Sequence, residues 1–182
     1  MTIGSDKVQD VVKNTSKDKK TYGGYFAYQL LNMIARTLYV EGRGEGTEGR
    51  KAILSVILNR TNGDMNNVKA VISEYKAFSC WNKMTKDDWK NFVYRIPKDV
   101  AGNPTNQKIW NECVELAMQF YKGEFKSTIG NRNSYMNLKK ADKKNKESWG
   151  KKLDKKINNH SFGYFKEHDP KYVIPGTMIA RA

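Results

Sequence analysis

Residues 26–60 read FAYQLLNMIARTLYVEGRGEGTEGRKAILSVILNR, and the break in the middle of this stretch sets the expected fold. Phe26, Leu30, Met33, Ile34 and Leu38 recur at helical spacing, the apolar stripe of an amphipathic helix. That stripe must stop near Glu41, because Gly42, Gly44 and Gly46 crowd the next five positions and glycine disfavours a helix interior. A second helix begins near Thr47 and Glu48. It turns Ala52, Ile53, Val56 and Ile57 inward and leaves Arg50, Lys51 and Arg60 available to solvent.

Working outward, Thr61-Asn62-Gly63-Asp64 has turn chemistry, and Val68, Val71 and Ile72 mark a short third helix. Thr85, with Asp88 three residues on, has the form of a capped helix start. Asn103-Pro104 opens a longer helix whose face carries Ile109, Cys113, Leu116, Ala117 and Phe120, and Lys122-Gly123 ends it. Beyond Gly123 the texture changes to turns and short extended pieces around Ser134–Asn137. Ile157–Phe165 alternates like a strand or one arm of a hairpin. At the other end, residues 1–22 form a polar, basic tail with at most one short helix around Val8, Val11 and Val12. The Tyr22-Gly-Gly-Tyr25 step breaks the pattern before the first helix. The expectation is one α+β domain over residues 23–182, predominantly α-helical, with a small extended region.

The chain has 182 residues and a formal charge of +14, from 33 Lys and Arg against 19 Asp and Glu. That excess calls for an anionic partner: nucleic acid, an envelope polymer or a membrane surface. Two cysteines, Cys80 and Cys113, exclude a disulfide framework and read as core residues. No apolar window approaches the ~20 residues of a membrane span. Met1–Lys20 has no apolar core of a secretory signal, so synthesis in the cytoplasm is expected, with help needed to reach any external target.

Glu41 is the first position with chemical promise. It sits where a helix runs out into glycines, which leave space beside the carboxyl. The negative end of the helix dipole disfavours ionisation there, and an acid kept protonated is what cleavage of a glycosidic bond requires. The plainer reading is a solvated Glu at a helix end. A glycosidase also needs a partner carboxylate in many mechanisms. Glu45 is the better candidate, whereas Glu48 reads as a first-turn acid of the second helix. His160, in Asn158-Asn159-His160, either lines a cleft or is an ordinary strand-end residue. His160 and His168 lack the spacing of a zinc site, so neither metal nor cofactor is expected. Between Lys139 and Lys156 nine lysines face three acids, a solvated face or a phosphate-binding one. Trp149 among them is placed to stack on a base or a sugar ring.

Taken in order, these pieces resemble the cell wall hydrolases related to spore-cortex-lytic enzymes, the SleB-like family. Ala35-Arg-Thr-Leu-Tyr-Val-Glu41-Gly-Arg-Gly-Glu45 is similar to the family signature A-R-x-x-Y-x-E-A-R-G-E, and Leu58-Asn59-Arg60 follows as in V-x-L-N-R. Val68–Ile72 and Phe78-Ser79-Cys80-Trp81 resemble V-x-x-V-I and F-S-C-W. Tyr135-Met136-Asn137 and Ile157–Phe162 complete the series, which spans roughly Ala35 to Phe165. Gly42 stands where the family has alanine, and Asn158 where it has glycine.

The resemblance implies a lysozyme-like domain that cuts the glycan strand of peptidoglycan between MurNAc and GlcNAc, with Glu41 as general acid. It acts as a muramidase or as a lytic transglycosylase, which needs no second carboxylate. Ser79, Tyr135, Asn137, Asn159 and His160 fall on family cleft positions and would bind or orient the sugars. A phage endolysin working as a monomer on an anionic envelope, without an obligate protein partner, fits this reading. The competing class is a basic nucleic-acid-binding protein that uses the Lys139–Lys156 region.

Overall fold

The computed structural model describes residues 22–74, 77–82 and 96–171, with side chains from residue 27 onward. Helix α1, Tyr22–Gly42, is the axis of the molecule. Every residue from Leu30 to Tyr39 is buried, so this helix is enclosed on all sides where its spacing predicted a single apolar stripe. Thr37 is tolerated inside because its Oγ1 donates to the Met33 carbonyl at 2.8 Å. Helices α2 (Gly46–Thr61), α3 (Val68–Ser73) and α4 (Pro104–Tyr121) pack around it, α4 most extensively. Gly23 and Gly24 lie inside α1 rather than before it. Each costs roughly 1 kcal/mol against alanine in a helix, a penalty that the burial of the turns beyond Ala27 outweighs. The expected tail helix and the helix expected at Thr85 lie outside the described residues.

The helix ends follow local chemistry. Asn62 and Gly63 adopt left-handed backbone, φ +52° and +74°, and the Gly63 N–H closes on the Leu58 carbonyl at 3.1 Å. Asn103 caps α4 by accepting from the Asn106 N–H at 3.1 Å, with Pro104 in the first turn.

Two arginines expected in solvent are buried instead: Arg50 and Arg60 are 5% and 6% exposed. α2 is covered by α1 and α4 along one side and by the sheet along another, so a long side chain leaving it runs between elements. Arg50 forks onto Glu112, with Nη2 at 2.7 Å and Nε at 3.2 Å, and its Nη1 donates to the Gly42 carbonyl at 3.2 Å. Lys51 does reach the surface, where it pairs with Glu48 at 3.0 Å.

The extended region is a three-stranded antiparallel sheet in the order β1 (Ser134–Met136), β3 (His160–Gly163), β2 (Leu153–Ile157). Tyr135 pairs with Phe162, and Ile157 with His160 across the Asn158-Asn159 turn. The second hairpin arm, β2, therefore lies within the lysine run, preceded by helix α5 (Lys143–Trp149). A Cβ on Gly163 would fall 2.1 Å from the Lys152 carbonyl oxygen, so only glycine lets β3 close here. Trp149 packs its ring 4.4 Å from that of Phe165 and is part of the fold, with one face covered. Among the described residues no helix is long and apolar enough to cross a membrane.

Candidate active site

Glu41 occupies the last turn of α1, half-buried. Two other segments converge on its carboxyl. Ser79 Oγ donates to Oε1 at 2.8 Å and the Cys80 N–H donates to the same oxygen at 3.0 Å, while the Tyr135 hydroxyl donates to Oε2 at 3.2 Å. The Ser79–Trp81 turn is held against α1 because Trp81 Nε1 donates to Thr37 Oγ1 at 2.9 Å and Phe78 is buried behind it. Tyr135 comes from β1. Its ring stacks on Phe162, with 5.7 Å between centroids, and meets the edge of His160 at 4.9 Å. Burial, reinforced by the Glu41 charge, holds the Tyr135 hydroxyl well above its ordinary range, so it stays a proton-bearing donor.

Glu45 sits just before α2 and is 8% exposed. Its Oε2 accepts from the Asn159 N–H at 3.0 Å and its Oε1 from Asn159 Nδ2 at 3.1 Å. His160 Nδ1 lies 3.7 Å from Oε2. Burial lowers the affinity of the His160 ring for a proton, against the opposing pull of Glu45.

Glu41, Glu45, Ser79, Tyr135, Asn137, Asn159 and His160 thus line one groove of about 680 Å³. All seven residues singled out by sequence come together there from five separate segments. Asn137 is partly committed elsewhere, since its Oδ1 accepts from the Lys139 and Lys140 N–H groups at 3.1 and 3.3 Å and shapes that turn. Glu48 stays on the surface. Sequence reasoning did not single out the Cys80 backbone N–H, which no side-chain motif announces, and it took Lys139 and Lys140, which edge the groove, only as the start of the lysine run. It also passed over Val40, 46% exposed beside the acid; a valine off the apolar stripe, next to an acid at a helix end, was the available signal. The Cys80 thiol is pushed up by burial and Cys113 is pushed up to about 12 by the same cause, so neither is poised as a nucleophile.

A family model described as Cell Wall Hydrolase matches residues 44–163, about two thirds of the chain. The chain belongs to the cell wall hydrolase family. The match covers Glu45 and the five cleft residues and begins three positions after Glu41. A 58-residue stretch is 43% identical to the spore cortex-lytic enzyme of Bacillus subtilis (strain 168), covering 31% of this chain and 19% of that protein. The chain therefore matches about a fifth of the length of this curated relative. No solved structure matches this chain.

Proposed function

We propose that this cell wall hydrolase degrades peptidoglycan by cleaving the MurNAc–GlcNAc bond of the glycan strand, with Glu41 as general acid. The observation that carries the reading is the Glu41 carboxyl, which opens on a groove and meets three donors from two other segments. Glu41 gives its proton to the departing glycosidic oxygen as the bond to the anomeric carbon breaks. The carboxylate left behind is met by Ser79 Oγ, the Cys80 N–H and the Tyr135 hydroxyl, already aimed at it and needing no reorganisation. In the transglycosylase form of the reaction Glu41 then takes the proton of the sugar's own 6-hydroxyl as that oxygen attacks the anomeric carbon. A 1,6-anhydro ring results, and no water is consumed. Ser79, Tyr135, Asn159 and His160 line the path of the sugars, and Asn137 supports the wall beside them.

The proposal includes a phage endolysin role at the cell wall, where a formal charge of +14 favours the anionic envelope. Mass spectrometry of the products from purified sacculi tests the chemistry. New glycan ends one water lighter than reducing ends support the transglycosylase form, and reducing ends support hydrolysis. Release of stem peptides without any new glycan end would overturn the proposal.

A further inference from the structure

Glu45 is the second carboxylate in the groove, and its surroundings differ from those of Glu41. We propose that Glu45 is a positioning residue: its carboxylate clamps the Asn158–His160 turn so that Asn159 and His160 face the glycan. This rests on the reading of the groove given above.

Three features on two segments, 114 residues apart, carry the inference. Both Glu45 oxygens are bonded to one residue, Asn159, through its backbone N–H and its side-chain amide. The Glu45 carbonyl takes a further bond from Asn158 Nδ2. Glu41 also has both oxygens bonded, so access is what separates the two. Glu41 is half-buried and opens on the groove, whereas Glu45 is 8% exposed and spends its bonds on the chain itself.

Gly49, one turn further along α2, is the second feature. A Cβ there would fall 2.3 Å from the Glu45 Cβ and 3.5 Å from both its Cγ and Asn158 Nδ2. The helix carries glycine, a poor helix residue, at the position where any side chain would push Glu45 out of the clamp.

The third is Asn158, whose φ is +52°. The family resemblance has glycine at this position. Asparagine tolerates left-handed backbone, and here its amide adds the bond to Glu45, so the departure from the pattern strengthens the same clamp. His160, two residues on, has a buried Nδ1 with no hydrogen-bond partner among the described residues, facing Glu45 Oε2 at 3.7 Å. Its ring is thus placed by the turn and by Tyr135 rather than by a bond of its own.

The test is a double-mutant cycle on soluble glycan oligomers, comparing Glu45→Gln, Asn159→Ala and the pair, with folding checked by thermal unfolding. Each single change is expected to lower kcat/KM roughly 10- to 100-fold, mainly through KM. The pair should be no worse than the more damaged single variant, and the product ends should keep the wild-type chemistry. Gly49→Ala keeps the carboxylate but displaces it. It should reproduce the loss, and it replaces Glu45→Gln in the cycle if that variant does not fold. Losses that multiply would overturn the inference, as would azide restoring turnover to Glu45→Ala with a glycosyl azide product. Glu41→Gln run alongside separates the two failures, because full activity in that variant sinks the reading of the groove whatever Glu45 does.

Discussion

Adjacent residues of β1 serve two charged clusters with opposite fates. Tyr135 points to the Glu41 groove, and Ser134, on the other face of the strand, points to Arg60. Arg60 is sealed in. Its Nε donates to the Asn133 carbonyl at 2.7 Å, Nη1 to Glu74 at 3.1 Å, and Nη2 to Ser134 Oγ at 3.2 Å and His168 Nδ1 at 3.0 Å. Because guanidinium only donates, His168 Nδ1 is the acceptor, and the ring carries its proton on the other nitrogen. Burial, with Arg60 adding to it, lowers the His168 pKa to about 4. At Glu41 the protein supplies three donors and then leaves space. Both clusters surround an ionisable group with hydrogen bonds; only one leaves it able to meet another molecule. Access, rather than burial or perturbation, separates the reactive cluster from the structural one.

The contrast breaks most sharply at its two centres. Glu41→Gln should lower the rate of glycan cleavage by about 10²- to 10⁴-fold while leaving the thermal unfolding midpoint unchanged, as activity assays and calorimetry on the same sample would show. Arg60→Ala should do the reverse. Stranding the Asn133 carbonyl and opening a void costs roughly 3 kcal/mol of stability in urea titration, while the folded fraction keeps its turnover. If both variants lose activity and stability together, the distinction between the clusters is wrong.

Smaller effects sharpen it. Ser79→Ala removes one of the three donors to Glu41, an interaction with a charged group worth about 1.5 kcal/mol, or roughly tenfold in rate. His168 reports on the sealed cluster through pH. Its folded value of about 4 lies below the ordinary 6.5, so above that value both states are neutral and stability is fully present. As pH falls from 6.5 towards 4 the unfolded chain takes up the proton first, and stability declines. Partial solvent access makes the slope modest. Unfolding midpoints measured across that range should show the decline in the wild type and a shallower one in His168→Gln.

Much of this was legible beforehand where the cause is local. The Asn103 cap, the left-handed turn at Asn62-Gly63 and the end of α1 at Gly42 each follow from chemistry within a few residues. The lysine run misled because charge masks a strand. In β2 only alternate residues are half-buried, and Lys155 reaches from one such position to donate to the Thr128 carbonyl at 2.8 Å. Trp149, free to stack on a ligand when read along the sequence, is covered by Phe165 from beyond the hairpin.

Read alone, the sequence placed helices α1 to α4, an acid at the end of the first, and the ordered motifs that mark the family. Spacing and capping act over a turn or two of chain, so they survive without a fold. Tertiary structure alone decided that Arg50 and Arg60 are buried, that Cys80 offers its backbone N–H to Glu41, and that Glu45 closes on Asn159 rather than on solvent. Those outcomes depend on partners tens of residues away, whose bonds and desolvation count only once packing brings them together.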